Sequence, residues 1–214
     1  KHLDTAIDEE KVAERGAVVV MNVNTGAILG MAVSGDFNPN TPFTLSPEDQ
    51  ARVDAETDEE AKKTLRTELL NRQWRNKAVS DTYEPGSTFK TVSLMAALDD
   101  GKVDMQDSIR VYKNGWSYHG SKHTDAHPAD TIYSIRQALA VSSNIALAKI
   151  VTEGYDGSAK KFVKKLKNIG LCDSVDYTIP GAKQALINVP NDTVTISKMA
   201  YGYSVELSPL QMLM

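Results

Sequence analysis

The sequence predicts an α/β (α+β) fold in which an antiparallel sheet is flanked by helices, and three features carry that prediction. Ala17 to Val23 and Ala27 to Val33 are apolar, β-branched runs joined by Asn24-Thr25-Gly26, the pattern of a hairpin. Both runs are almost continuously hydrophobic rather than alternating, so burial on both faces is expected, with helices on each side of the sheet. Several later stretches place apolar side chains at helical spacing.

Taken in order, Leu3, Ile7 and Val12 give one face of a short N-terminal helix reaching about Glu14. After the hairpin, Asp36 to Pro47 is a loop rich in Pro and Asn. Ser46-Pro47-Glu48-Asp49 then supplies a cap, an N1 proline and an acidic first turn, which together start a helix. From Ala51 to Arg75 the chain is strongly charged, with Leu65, Leu69 and Leu70 as its main apolar positions, and reads as a solvated helical excursion that returns to the core at Trp74. Phe89, Val92, Met95 and Leu98 predict a buried helical stripe that Asp99-Asp100-Gly101 ends. Helices are expected from about Ile132 to Ala140 and from about Ile145 to Glu153. Asp156 to Gly170 is a basic amphipathic helix with Phe162, Val163, Leu166 and Ile169 inward and Lys160, Lys161, Lys164, Lys165 and Lys167 outward. Leu171 to Ala185 is irregular, a helix begins at Asn191 or Asp192 and runs to Ala200, and Ser208-Pro209 starts another.

Composition narrows the class. At 214 residues, one large domain with a substantial core is expected. The net charge of −4 shows no basic excess, and no nucleic-acid motif is present, so nucleic-acid binding is dropped. No stretch approaches the length of a membrane span. Cys172 is the only cysteine, which rules out an internal disulfide, and the neighbouring Asp173 and Asp176 disfavour a thiolate. His119, His123 and His127 have the four-residue spacing of a helical metal site, but Gly115, Gly120 and Pro128 break the helix, so a loop without metal is expected.

The chemistry is concentrated in Glu84-Pro85-Gly86-Ser87-Thr88-Phe89-Lys90. Ser87 could simply cap the following helix. A capping box, however, wants Glu or Gln where this chain has Lys90, and a lysine near a helix N-terminus opposes the macrodipole. If Lys90 is also buried, desolvation lowers its pKa further. At i, i+3 spacing the two side chains share a face, so a neutral Lys90 could take the proton of an attacking Ser87. Ser142-Ser143-Asn144 adds a second element between two candidate helices; Ser-x-x-Lys with Ser-x-Asn is the pairing of penicillin-recognising acyltransferases.

Asn76-Lys77-Ala78, the run Tyr83 to Lys90, and Ser142-Ser143-Asn144 together resemble the transpeptidase domain of a class B penicillin-binding protein. Gly16 to Val20, Asn24 to Ala32, Asp36 to Asn40 and Leu207 to Met212 agree, so the resemblance covers nearly the whole chain. It implies the penicillin-binding fold, shared with serine β-lactamases, with a mainly antiparallel central sheet between helices. It also implies a serine D,D-transpeptidase acting on peptidoglycan stem peptides ending in D-Ala-D-Ala and acylated by β-lactam antibiotics, with no metal or organic cofactor.

By that resemblance Ser87 is the nucleophile, Lys90 the general base and Ser142 the proton shuttle to the leaving amine. Asn144 is expected to hold Lys90 and the substrate amide, Ser143 to lie in the substrate-binding set, and the Ser87 N–H to form half of an oxyanion hole. The family's third motif, Lys-Thr-Gly or Lys-Ser-Gly, occurs nowhere in the sequence. The resemblance places it after the segment from Leu207 to Met212, so residues 1–214 are expected to be an incomplete domain lacking the C-terminal strands, the membrane anchor and the pedestal. Class B enzymes work on the extracytoplasmic face of the bacterial membrane, within division, elongation or sporulation complexes, and the residues do not select among these. Two other readings stay open: a serine β-lactamase or β-lactam sensor, and a non-catalytic scaffold of a wall-building complex.

Overall fold

Leu3 and Ile7 of helix α1 (His2–Glu10) turn toward Gly16, where a side chain would meet their methyl groups at about 3 Å. Gly16 leads into β1 (Ala17–Met21), which pairs antiparallel with β2 (Ile28–Val33) in a register running from Ala17 opposite Val33 to a bulge at Val20/Met21. The computed structural model describes residues 2–10, 16–35, 37–171, 179, 181, 187 and 193–214, so the features expected at Val12, Glu14, Asp36, Cys172 and the helix start at Asn191 or Asp192 lie outside the described residues. Two compact units are present, one built on Lys1–Asp81, the other on Thr82–Tyr177 and Lys183–Met212.

In the first unit, the expected hairpin forms, but it is not buried on both faces. Val18 and Val20 are about half exposed and Leu29 more so, because among the described residues only one face of the pair is covered by a helix. Ser46 caps α2 (Pro47–Ala55) by accepting from Asp49 N–H, with Pro47 at N1 as the sequence predicts. Asp58 caps α3 (Glu59–Trp74), and Leu65, Leu69 and Leu70 of that helix pack on Leu45 and Val53 in a small core of their own. Trp74 does not return to a core. It stays partly exposed, donates to the Pro42 carbonyl at 2.8 Å and meets the Phe43 ring edge-on, so it clasps the preceding loop. Asn76 caps the short α4 (Lys77–Ser80), whose Ala78 and Val79 are fully buried. Lys77 Nζ donates to the carbonyls of Ser34 and Gly35 at the end of β2.

The second unit is built around helix α5 (Lys90–Asp99), which a 3-10 turn over Gly86–Phe89 precedes. Phe89 and Ala96 belong to one buried cluster, with Val151, Tyr155, Phe162, Leu166 and Met199; Leu94 and Ala97 belong to a second, with Val111, Ile135, Ile145 and Leu147. The helix therefore lies between two cores. The expected stripe Phe89, Val92, Met95, Leu98 does not share one face: each three-residue step turns back by roughly 60° on a helix of 3.6 residues per turn, so Phe89 and Val92 pack on the first cluster, Leu98 on the second, and Met95 is 60% exposed.

Strands β3 (Ser108–Val111), β4 (Trp116–Tyr118), β5 (Ser121–His123) and β6 (Thr131–Ser134) follow, β3 pairing with β6 and β4 with β5, both antiparallel. His119 and Gly120, both at positive φ, make the tight turn between β4 and β5. Residues 131–134, expected to be helical in part, are strand. Helix α6 (Ile135–Ala140) begins only where Ser134 and Gln137 form a reciprocal capping box. Helices α7 (Asn144–Gly154), α8 (Ala159–Asn168), α9 (Thr195–Met199) and α10 (Pro209–Leu213) complete the chain. In α8 the apolar face is as expected at Phe162, Val163 and Leu166, whereas Ile169 is partly exposed. Lys165, placed outward by the sequence, is buried and paired with Asp99 and Asp100 at the end of α5. The architecture is mixed α/β, with three antiparallel pairs among the described residues.

Phe162 is fully buried, with its ring centroid 5.2 Å from that of Tyr155. Phe162→Ala should lower unfolding stability by about 3–5 kcal/mol, the usual cost of deleting a core phenylalanine. Denaturant titration should register it as a lower midpoint at unchanged slope.

Candidate active site

Gly86, at φ +56°, reverses the chain after Pro85 and delivers Ser87 to the exposed side of the 3-10 turn. The Ser87 hydroxyl caps nothing. It accepts a hydrogen bond from Lys90 Nζ at 3.1 Å, and Thr88 closes the turn instead, donating from its hydroxyl to the Pro85 carbonyl at 2.7 Å. Lys90 is 1% exposed, and its three donors go to Ser87 Oγ, to Ser142 Oγ at 2.8 Å and to the Ser142 carbonyl at 2.6 Å. Burial lowers its pKa to about 8, against a smaller opposing pull from the Asp125 carboxylate.

Ser142 ends helix α6 in the left-handed region, φ +55°, where a helix C-terminus normally carries glycine. The chain accepts that strain at the residue whose carbonyl and hydroxyl both face Lys90. Ser143 then caps α7: its hydroxyl accepts from Ala146 N–H and donates to Asp125 Oδ2 at 2.8 Å. It is wholly buried, so the substrate-binding role expected of Ser143 is corrected to a structural one. Asn144 does not bond Lys90 as expected. Its Nδ2 donates to the Thr124 carbonyl at 2.8 Å, which fixes the amide by a different route.

The structure thus brings together Ser87, Lys90 and Ser142, ties Asn144 to Thr124, and adds two residues that the sequence reading missed. Asp125 accepts from Ser143 Oγ and, at 3.0 Å, from Ile145 N–H at the first turn of α7, so one carboxylate fixes the Ser-x-Asn turn and biases Lys90. Nothing in its spacing marks it. Gly202 accepts the Gly86 N–H on its carbonyl at 3.0 Å and holds φ +87°, and a side chain there would lie 2.1 Å from the Gly86 carbonyl oxygen. A lone glycine between two tyrosines gave no such signal. Glu84 adds a second tie, accepting from Ser204 N–H at 2.7 Å.

The histidines are dispersed. His119 sits in the β4–β5 turn, His123 is buried at the end of β5 and His127 is exposed in the following loop. Among the described residues no group of three or more His, Cys, Asp or Glu side chains is gathered as a metal site, and none of the helices is long and apolar enough to cross a membrane.

A profile of the family described as "Penicillin binding protein transpeptidase domain" matches residues 16–214. The chain belongs to the penicillin-binding protein transpeptidase family. It is 26% identical over 98% of its length to the "Peptidoglycan D,D-transpeptidase FtsI" of Buchnera aphidicola. It is 28% identical over 94% to the "Probable peptidoglycan D,D-transpeptidase PenA" of Neisseria flavescens. It covers 32% and 43% of these two proteins, less than half of either. Among solved structures, the transpeptidase (TP) domain of penicillin-binding protein 3 from Burkholderia pseudomallei superposes with a TM-score of 0.70 at 21% identity. That match covers 98% of this chain and 51% of the other, and it shows a shared fold.

Because the carbon added in Gly202→Ala would meet backbone rather than a movable side chain, the substitution should displace the Gly86 turn. The expected outcome is a lower melting temperature together with slower modification of Ser87 by an active-site-directed acylating agent.

Proposed function

We propose that this chain carries the acyl-transfer centre of a serine D,D-transpeptidase that cross-links peptidoglycan stem peptides and is acylated by β-lactams. The observation that carries the reading is one buried amine, its pKa lowered to about 8, in hydrogen-bond contact with both Ser87 Oγ and Ser142 Oγ. Neutral Lys90 takes the Ser87 proton while Oγ attacks the carbonyl of the penultimate D-Ala. The developing oxyanion lies against the Ser87 N–H, one of the first-turn donors that have no intrahelical acceptor. As the tetrahedral adduct collapses, the proton moves from Lys90 through Ser142 Oγ to the nitrogen of the departing D-Ala. An amine of a neighbouring stem peptide then attacks the acyl-enzyme by the reverse relay. Anchored through Nδ2, Asn144 turns Oδ1 toward a substrate amide N–H. Lys77 and the resembling run around it would buttress the hairpin rather than react.

A β-lactamase or sensor would share Ser87 and Lys90, and the lifetime of the penicillin adduct separates the cases: hours for a transpeptidase, short for a hydrolase. The relatives named as peptidoglycan D,D-transpeptidases favour the first, and the FtsI likeness points toward division. A scaffold without activity would not need a buried lysine on a serine.

The protein should gain the mass of one β-lactam on the peptide containing Ser87, and Ser87→Ala should abolish it; a label that survives in that variant removes the nucleophile. With a pKa near 8, roughly a tenth of Lys90 is neutral at pH 7. Acylation should therefore quicken as pH rises and level off above about 8. Lys90→Arg, which stays protonated at any working pH, should fold and fail to acylate. In Asp125→Asn the carboxylate that favours the ammonium is gone, so the rise of acylation with pH should move to lower pH; an unmoved midpoint would show that Asp125 does not act on Lys90.

A further inference from the structure

His123 takes no part in the relay above, yet its ring is buried and engaged on both nitrogens. Nδ1 lies 2.7 Å from the Tyr201 hydroxyl and Nε2 3.1 Å from Ser197 Oγ, and the Trp116 and Tyr201 rings flank it with centroids at 5.7 Å. These groups admit one arrangement of protons. Ser197 has a single hydroxyl hydrogen and donates it to the Val194 carbonyl at 2.5 Å, so toward His123 it accepts, and Nε2 must carry a hydrogen. Burial, reinforced by the Lys198 charge, lowers the His123 pKa and keeps the ring neutral. A neutral imidazole has one N–H, so Nδ1 is bare and Tyr201 donates to it.

The segments joined by this chain of bonds are those that carry the site. Directly after His123 come Thr124, whose carbonyl holds Asn144, and Asp125, which holds Ser143 and the first turn of α7. Directly after Tyr201 comes Gly202, whose carbonyl holds the residue before Ser87. We propose that His123, as the Nε2–H tautomer clamped between Tyr201 and Ser197, is a positioning residue that sets the separation between the Ser87 turn and the Ser142–Asn144 turn. The inference rests on the transpeptidase reading for its kinetic consequence and on hydrogen bonding alone for its structural one. A buried residue serving only the core would be replaceable by any apolar side chain of similar size. A clamp depends on the Tyr201 hydroxyl.

The test has a spectroscopic and a kinetic arm on the full-length protein. Nitrogen-15 NMR at neutral pH should find His123 protonated on Nε2 and bare on Nδ1, and Tyr201→Phe should shift the Nδ1 resonance. Tyr201→Phe should also slow the first-order acylation step with a β-lactam between about 10- and 100-fold, the scale of a misplacement near 1 Å, while the affinity of the preceding encounter complex changes little. His123→Leu should match it, and the double variant should be no worse than the poorer single one, because each removes the same link. His123→Asn, whose Oδ1 can still accept from Tyr201, should recover part of the rate. A hydrogen found on Nδ1, or a folded Tyr201→Phe protein acylated at the wild-type rate, overturns the proposal. So does a loss of rate that merely tracks the unfolded fraction. A wild-type protein that is not acylated at Ser87 overturns the transpeptidase reading instead, and the NMR arm then decides the clamp by itself.

Discussion

The Lys90 side chain lies between two short stretches of backbone far apart in sequence. Its nitrogen, held in the protein interior, reaches Ser87 on one side and both the hydroxyl and carbonyl of Ser142 on the other. An ammonium in such a place costs desolvation energy, and hydrogen bonds to three oxygens offset part of that cost. The balance leaves the amine close to losing its proton near neutral pH, with a hydroxyl on either side. Stability and chemistry thus meet in one group, since the contacts that allow the lysine to be buried are those through which a proton can pass.

What surrounds the lysine keeps its partners from drifting. Helix α5 is packed on two sides by separate apolar clusters, so neither can loosen without moving Lys90. The Ser142 turn is held from behind by Asp125, through Ser143 and the N-terminus of α7, and the Ser87 turn by Gly202 through Gly86. The Ser87 and Ser142 hydroxyls themselves carry little of the scaffolding. Ser87 is exposed and caps no helix; Thr88 beside it closes the turn by donating to the Pro85 carbonyl, and Ser143 beside Ser142 caps α7.

The parts legible in the sequence are those encoded locally. The hairpin, the Ser46 cap, the end of α5 at Gly101 and the pairing of Ser87 with Lys90 depend on residues a few positions apart, and spacing states them directly. Family resemblance supplied Ser142 and Asn144. Asp125 and Gly202 act over distance on segments that no periodicity links to them, so only the fold could show them. Errors have physical causes too. Met95 was misplaced because three-residue spacing rotates away from a fixed face, and Lys165 because a basic residue on a basic helix gives no sign that Asp99 and Asp100 will meet it. Ser143 and Asn144 find other partners than expected, Asp125 and the Thr124 carbonyl, because a motif names residues without saying which way they turn. The apolar hairpin was read as a doubly covered sheet, whereas the described residues cover one face only.

The left-handed backbone at Ser142 sets two kinds of selection against each other. Glycine would relax that φ angle, and a screen for heat resistance would favour it on conformational grounds. The same change would erase the hydroxyl that faces Lys90. A laboratory lineage driven toward robustness alone would drift toward a well-folded protein whose Lys90 has lost a hydroxyl partner. One that retains serine there accepts permanent local strain as the condition of keeping that contact.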